Sequence, residues 1–150
     1  MSPAVPNPLR VLLVEDSHAD ALVAERALQV SDGEFEITIT ASLGAGIDRF
    51  AQGFDVILLD LTLPDSAGTE TVARMRAAAR DVPIVVLTSA AGDGIADGCI
   101  RAGADVYRQK GRIGPTALSD VLSRAIEAGH PPPYLRSSPG STIPPPRGSR

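Results

Sequence analysis

Cysteine is almost absent from this chain. Cys99 is the only cysteine among 150 residues. A single cysteine excludes both a framework of internal disulfide bonds and a cysteine-rich zinc site. Because disulfides are rare where thiols are kept reduced, this usage fits a reducing compartment and predicts a cytoplasmic location. We expect Cys99 to behave as a small, buried apolar side chain.

Long apolar stretches are missing as well. No apolar run in the sequence approaches the roughly 18 residues that a membrane-spanning helix needs. The first ten residues, MSPAVPNPLR, lack the basic start and the apolar core of a secretory signal peptide. The sequence therefore predicts no membrane span and no membrane partner.

Positive charge is scarce, and lysine is scarcer still. The chain has 14 Lys and Arg against 18 Asp and Glu, which gives a net charge of −4. All of the acids precede residue 129, whereas three arginines follow it. Nucleic-acid binding requires a basic face, so we expect no nucleic-acid partner. Lys110 is the only lysine in the chain.

The two ends of the chain differ in composition from its middle. Residues 1–8 contain three prolines and are predicted to form a flexible arm. Residues 129–150 hold seven prolines, four serines and three glycines, too little apolar surface to offset the entropy of ordering. We predict a disordered, basic Pro/Ser-rich tail or linker there, with docking into an aromatic groove as the alternative. Residues 9–128 then form the domain.

Short apolar runs alternate with helical patterns through residues 9–128. Leu9–Val14, Val56–Leu59 and Ile84–Leu87 are continuous and rich in β-branched residues, which is typical of strands buried on both faces. Two weaker strands are predicted at Glu36–Thr40 and Ala104–Arg108. Strand and helix repeated five times predict an α/β fold, with a doubly wound five-stranded parallel sheet and five helices.

Capping residues mark the starts of the first three helices. Ser17 is placed to cap a helix that runs to about Val30, with Asp20 in the capping-box position. Ser42 precedes a second apolar stripe, and Gly68 precedes a third helix. These signals place the first three helices in the segments between the predicted strands.

The fourth and fifth predicted helices differ in how strongly their sequences favour a helix. The fourth, predicted over Ala91–Ala102, contains three glycines that each cost about 0.5–1 kcal/mol relative to alanine, so it should be the least stable element. The fifth is predicted to open at Gly114-Pro115, with proline in its first helical position. Its apolar stripe has clean helical spacing. The stripe comprises Leu118, Val121, Leu122, Ala125 and Ile126.

Polar side chains follow the ends of four predicted strands. Glu15 and Asp16 follow the first strand and Asp60 follows the third. Thr88 ends the fourth, and Lys110 follows the fifth. Because the carboxyl ends of parallel strands meet at one edge, we expect these groups to share one rim.

Three carboxylates at one rim point to a divalent cation and to phosphoryl chemistry. Crowded carboxylates repel one another and raise their own pKa values, which a hard cation such as Mg²⁺ relieves with oxygen ligands. Asp60 then stays ionised and is able to act as a nucleophile towards phosphorus. The cation, Lys110 and the Thr88 hydroxyl would stabilise the phosphoryl oxygens.

Four motifs in a fixed order carry a family resemblance. VLLVEDS, DVILLDLTLPDSAG, PIVVLTS and GADVYRQKG together resemble the receiver domain of two-component response regulators, over residues 9–128. The resemblance implies a flavodoxin-like, receiver-type fold. It implies a signalling domain that accepts a phosphoryl group from a histidine kinase or histidine phosphotransfer protein. Such a domain assists its own phosphorylation and dephosphorylation and is not otherwise an enzyme.

The resemblance assigns a role to each residue at the rim. Asp60 resembles the phospho-accepting aspartate, Asp16 the direct Mg²⁺ ligand and Glu15 the ligand that acts mainly through water. Thr62 would offer its main-chain carbonyl to the metal. These four positions form the implied metal and phosphoacceptor site.

The resemblance also implies a switch and an output surface. Thr88 and Lys110 would bind the new phosphoryl group, and Tyr107 matches an aromatic side chain that moves inward with Thr88. A downstream protein partner would bind the fourth helix, fifth strand and fifth helix. Lys110 is followed by Gly111, where the family often has a proline after a cis bond, so the conformation of that peptide bond stays open.

Other interpretations remain open on the sequence alone. Singly, Asp60 and the Glu15-Asp16 pair fit helix or turn caps, Thr88 fits a strand-end hydroxyl and Tyr107 fits core packing. A phosphohydrolase with an aspartyl nucleophile would usually carry a second acid at the position of Thr62. A flavodoxin-like cofactor binder would need a phosphate-cradling loop, which the acidic EDSHAD segment opposes. A fragment of a larger hybrid signalling protein is a further alternative.

Overall fold

The computed structural model describes residues 8–31, 34–90, 92–114 and 117–129. Five helices pack on the two faces of one parallel sheet, whose strands are β1 (Leu9–Val14), β2 (Phe35–Thr40), β3 (Val56–Leu59), β4 (Ile84–Thr88) and β5 (Val106–Gln109). The strand order is β2-β1-β3-β4-β5. This architecture confirms the predicted doubly wound α/β fold. Apart from Pro8 and Gly129, the predicted arm and tail lie outside the described residues.

The strands follow the apolar runs to within one or two residues. β2 begins one residue before its predicted start, and β4 extends one residue further, to Thr88. β5 begins two residues later than predicted, because the Ala104 amide still bonds the Cys99 carbonyl at the end of the preceding helix, and it ends one residue later, at Gln109.

The first three helices begin where their caps predict. The Ser17 hydroxyl accepts a hydrogen bond from the Asp20 amide, and the Ser42 hydroxyl accepts one from the Ala45 amide. Gly68 precedes the third helix without a side-chain cap. The five helices are α1 (His18–Gln29), α2 (Leu43–Phe50), α3 (Thr69–Ala78), α4 (Ile95–Ala102) and α5 (Ala117–Ala128).

The start of α4 differs from the prediction. The helix begins at Ile95 and not at Ala91, which lies outside the described residues. Gly92 and Gly94 have φ angles of +151° and +80°, which are incompatible with a right-handed helix. Gly92 and Gly94 therefore shorten the helix, and of the three glycines only Gly98 lies in its interior. The predicted proline start of α5 also lies outside the described residues.

The core is split by the sheet into two layers, because successive strand residues point to opposite faces. On one face Leu12, Ile57 and Val86 pack with residues of α2, α3 and α4, and Cys99 of α4 is fully buried there as predicted. On the other face Leu13 and Leu58, among others, pack against α1 and α5. Each fully buried aliphatic side chain stabilises the fold by about 1.5–3 kcal/mol.

A buried arginine joins the loops at the N-terminal ends of the strands, opposite the rim. Arg76 of α3 donates hydrogen bonds to the carbonyl oxygens of Ala79, Val82 and Gly103. It also pairs with the Asp105 carboxylate at 2.7 Å, and that carboxylate accepts a bond from the backbone of β4. A side chain at position 103 would approach Arg76 to within 2.9 Å, so glycine permits this close contact. The network ties α3 to the starts of β4 and β5.

Candidate functional site

The predicted rim lies where the order of the strands reverses. β1 and β3 are neighbours, with Val14 opposite Leu59, so the segments that follow them emerge side by side. The Asp60 amide donates to the Val14 carbonyl and fixes this position. Ligand sites of doubly wound sheets form at such a reversal.

Three acids predicted from separate strand ends are brought together there. Carboxylate oxygens of Glu15, Asp16 and Asp60 lie within 4.8 Å of one another. Glu15 and Asp60 are buried, whereas Asp16 is exposed. Burial raises the pKa of Glu15 above its ordinary value, although hydrogen bonds from Lys110 and Ser17 oppose the rise. Three clustered carboxylates, two of them buried, offer the oxygen ligands that suit a divalent cation.

Lys110 reaches this cluster from the end of β5. Its amide donates to the Thr88 carbonyl, and its Nζ lies 2.5 Å from Glu15 Oε1 and 3.6 Å from Asp60 Oδ2. Nζ also contacts Asp20 Oδ2 at 2.9 Å. Burial lowers the pKa of Lys110, but the bonds to Asp20 and Glu15 outweigh it, so the net pKa is raised. The ammonium therefore stays charged at the rim.

Asp20 does not complete the predicted capping box. Its backbone amide bonds the Ser17 hydroxyl as expected, but its carboxylate binds Lys110 instead of returning to the Ser17 amide. The Ser17 amide donates to Glu15 Oε2 instead. A carboxylate gains more from a nearby ammonium than from a neutral amide, which accounts for the difference. Asp20 is thus a rim residue that the sequence pattern assigned to a cap.

Thr88 and Tyr107 are linked through one residue. Thr88 is fully buried, and its hydroxyl accepts a bond of 3.2 Å from the Ala90 amide. The Tyr107 hydroxyl donates to the Ala90 carbonyl at 2.8 Å, while its ring packs partly buried against the core. The strand-end interpretation of Thr88 and the packing interpretation of Tyr107 both describe real contacts. The switch roles of the two residues remain predictions.

The loop after Asp60 forms a small hairpin that the sequence did not predict. Thr62–Leu63 pairs with Ser66–Ala67, and the Asp60 carboxylate accepts a bond from the Leu61 amide. The Asp65 carboxylate accepts bonds from the first amides of α2, which lower the pKa of Asp65. The hairpin is therefore anchored to α2. The carbonyl role of Thr62 stays a prediction.

Every peptide bond among the described residues is trans, including the one that joins Lys110 to Gly111. A trans bond to Gly111 thus stands where the resemblance implied that a proline after a cis bond is common.

A cleft runs from the rim between α1 and α5. It has a volume of about 610 Å³, and Val23, Val30, Ile113 and Leu118 form part of its apolar lining. Glu15, Asp60 and Lys110 also line it. The cleft and the acidic cluster are therefore continuous. In the part of the chain that the structure describes, no helix is long and apolar enough to span a membrane.

Comparison with known sequences identifies the family. The family model of the response regulator receiver domain matches residues 11–122 of this chain. The two-component response regulator ARR6 of Arabidopsis thaliana is 32% identical, covering 77% of this chain and 67% of that protein. The cell cycle transcriptional regulator CtrA of Caulobacter vibrioides is 35% identical, covering 68% of this chain but 44% of that protein. The chain therefore spans less than half of CtrA.

Solved structures agree with the sequence comparison. A CheY-like response regulator receiver domain protein from Methanospirillum hungatei superimposes with a TM-score of 0.72 and 25% identity, covering 81% of this chain and 96% of that one. Chemotaxis protein CheY4 of Vibrio cholerae gives 0.69 and 25%, covering 79% and 99%. The fold, the acidic cluster at its strand reversal and the family match together show that this chain belongs to the response regulator receiver domain family of two-component signalling.

Proposed function

We propose that Asp60 accepts a phosphoryl group from a histidine kinase or a histidine phosphotransfer protein. The observation that carries this proposal is the convergence of Glu15, Asp16, Asp60 and Lys110 at one reversal of strand order. Three acids and one cation in this arrangement suit transfer of an anionic group to a carboxylate. With such a partner, the domain would work in the cytoplasm.

The acidic cluster fits a magnesium ion. Asp16 would bind it directly, Glu15 mainly through water, and Asp60 and the Thr62 carbonyl would complete the protein ligands. The clustered carboxylates and the raised pKa of Glu15 support this assignment. When bound, Mg²⁺ supplies positive charge that stabilises the phosphoryl oxygens during transfer.

Transfer requires one bond to form and one to break. An Asp60 carboxylate oxygen attacks phosphorus, the phosphorus–nitrogen bond of the phosphohistidine breaks, and its electron pair returns to the imidazole. Lys110 lies close enough to Asp60 to pair with a phosphoryl oxygen after a small movement. The Thr88 hydroxyl would exchange its bond with the Ala90 amide for one with the phosphoryl group.

A phosphohydrolase with an aspartyl nucleophile is less well supported. Such an enzyme usually needs a second acid two residues after the nucleophile, and that position holds Thr62, which is exposed on the hairpin. The site therefore suits phosphoryl acceptance better than repeated hydrolysis.

Intact-mass measurement tests the proposed chemistry. Treatment with a small phosphodonor and Mg²⁺ should add the mass of one phosphoryl group, which is stable in acid and lost in base. A chelator should prevent the gain.

Asp16→Ala should also prevent the gain of mass and abolish Mg²⁺ binding, while the fold stays intact and gains stability from reduced repulsion. Unchanged Mg²⁺ affinity in that variant would remove Asp16 from the site.

We also propose that phosphorylation alters the surface formed by α4, β5 and α5, where a downstream protein would bind. Movement of Thr88 would release the Ala90 amide, and Tyr107 is bonded to the carbonyl of that same residue. Two glycines with positive φ precede α4, so its start has few strong restraints.

Hydrogen exchange with and without phosphorylation tests this output surface. Protection should change most in α4 and β5 and little in α1 and α2, because the Thr88–Ala90–Tyr107 contacts lie beside the former pair. A change confined to α1 and α2, or spread evenly over the domain, would count against the proposed surface.

A further inference from the structure

The resting position of Lys110 is set by two carboxylates other than that of Asp60. Nζ lies 2.5 Å from Glu15 and 2.9 Å from Asp20, both within hydrogen-bond distance. Its distance of 3.6 Å from Asp60 Oδ2 is too long for a hydrogen bond. The only lysine of the chain thus forms an ion pair with Asp60 but donates its hydrogen bonds to the other two carboxylates.

The two carboxylates differ in what else they do. Glu15 is buried beneath the rim and is also a member of the acidic cluster. Asp20 belongs to the first turn of α1, lies outside that cluster, and its side chain is 45% exposed. Lys110 is the group that the Asp20 carboxylate contacts at the rim. We therefore explain the position of the Asp20 side chain by its ion pair with Lys110.

Asp20 also changes the charge that a phosphoryl group encounters. Glu15, Asp16 and Asp60 already oppose a single ammonium, and Asp20 adds a fourth carboxylate next to it. Each nearby negative charge disfavours the arrival of an anion and attracts the ammonium that should stabilise it. Asp20 therefore acts against phosphorylation in two ways.

We propose that Asp20 is a positioning residue that restrains Lys110 in the unphosphorylated chain and competes with the phosphoryl group for it. This inference rests on the proposed phosphorylation of Asp60. When the phosphoryl group arrives, Lys110 moves towards Asp60, and an oxygen of the new group replaces the Asp20 carboxylate as hydrogen-bond acceptor. Asp20 thereby lowers the stability of the phosphorylated state relative to the resting state.

Replacement of Asp20 tests the competition. Asp20→Asn removes the charge and keeps a neutral acceptor, whereas Asp20→Ala removes both. At saturating Mg²⁺ we expect phosphorylation by a small anionic phosphodonor to be at least threefold faster in Asp20→Asn. Beryllofluoride, an anionic mimic of the phosphoryl group, should bind at least threefold more tightly. Asp20→Ala should show equal or larger effects.

Glu25→Gln is the matched control, because it removes one charge from the same helix away from the rim. It should leave the phosphorylation rate and beryllofluoride affinity within a factor of about 1.5 of wild type, because among the described residues Lys110 pairs with Glu15, Asp20 and Asp60 and not with Glu25. Equal acceleration by Glu25→Gln would reduce the role of Asp20 to net charge and overturn the restraint. Unchanged or slower phosphorylation in Asp20→Asn would overturn it as well.

The uniqueness of Lys110 permits a direct measurement that does not depend on phosphorylation. Selective ¹⁵N labelling of lysine side chains gives a single Nζ signal. Asp20→Asn should shift that signal in the resting protein, and the wild-type and variant signals should converge once beryllofluoride is bound. Identical resting signals would show that Asp20 does not hold Lys110. A shifted signal in a protein that cannot be phosphorylated would instead refute the proposed function.

Discussion

Asp60→Asn should abolish phosphorylation by small phosphodonors while the protein remains folded. Asparagine keeps an acceptor for the Leu61 amide but lacks the carboxylate that forms the acyl phosphate. The change also removes a buried charge beside Glu15, so the melting temperature should not fall. Intact-mass measurement after phosphodonor treatment provides the first readout and thermal unfolding the second.

Asp48→Asn is the matched control for this variant. Asp48 is an exposed acid on α2, so its loss should leave the phosphoryl gain unchanged. A phosphoryl group that persists in Asp60→Asn would place the acceptor at another residue. Loss in both variants would point to an effect of net charge instead of a specific acceptor.

Arg76→Met should destabilise the domain by about 3–5 kcal/mol, the range found when one partner of a buried ion pair is removed. The guanidinium side chain is 9% exposed, and methionine would leave Asp105 and the carbonyls of Val82 and Gly103 without this donor. For a domain of this size the melting temperature should fall by roughly 10 °C or more. Chemical denaturation with a constant m-value is the cleanest measurement.

Two further variants test whether the planar arrangement of the Arg76 guanidinium donors contributes to stability. Arg76→Lys keeps the charge but not the planar geometry, so it should recover only part of the lost stability. Arg101→Met alters an exposed arginine of α4 and should change stability by less than about 0.5 kcal/mol. If Arg76→Met were no more destabilising than Arg101→Met, the network at the sheet edge would contribute little to the fold.

The strands were the most predictable part of the fold. The last four residues of β1 and all residues of β3 and β4 are buried, so these strands are largely apolar runs with clear ends. Thr88 was the one residue added to β4, because a polar residue at a strand end gives no apolar signal. The hairpin after Asp60 was missed since strands of two residues carry no periodicity.

The candidate site was predictable where its residues follow strands and less so where they depend on distant contacts. The topology alone brings Asp60 to the acids after β1. Asp20 was assigned to a capping box because its local spacing fits one, and only the fold reveals that Lys110 lies within reach. Arg76 gave no signal at all, since a charged residue within a helix is usually exposed. Long-range electrostatics of this kind are not encoded in local patterns.

Because Cys99 is buried, the modification of its thiol can measure how often α4 opens away from the sheet. The thiol is fully enclosed on α4, and burial raises its pKa, so little reactive thiolate is available in the closed structure. A thiol-modifying reagent can therefore reach it only when α4 departs from the sheet. With no second cysteine in the chain, the rate of modification measures how often that helix opens. The single thiol thus gives access to the dynamics of the helix that Gly92 and Gly94 precede.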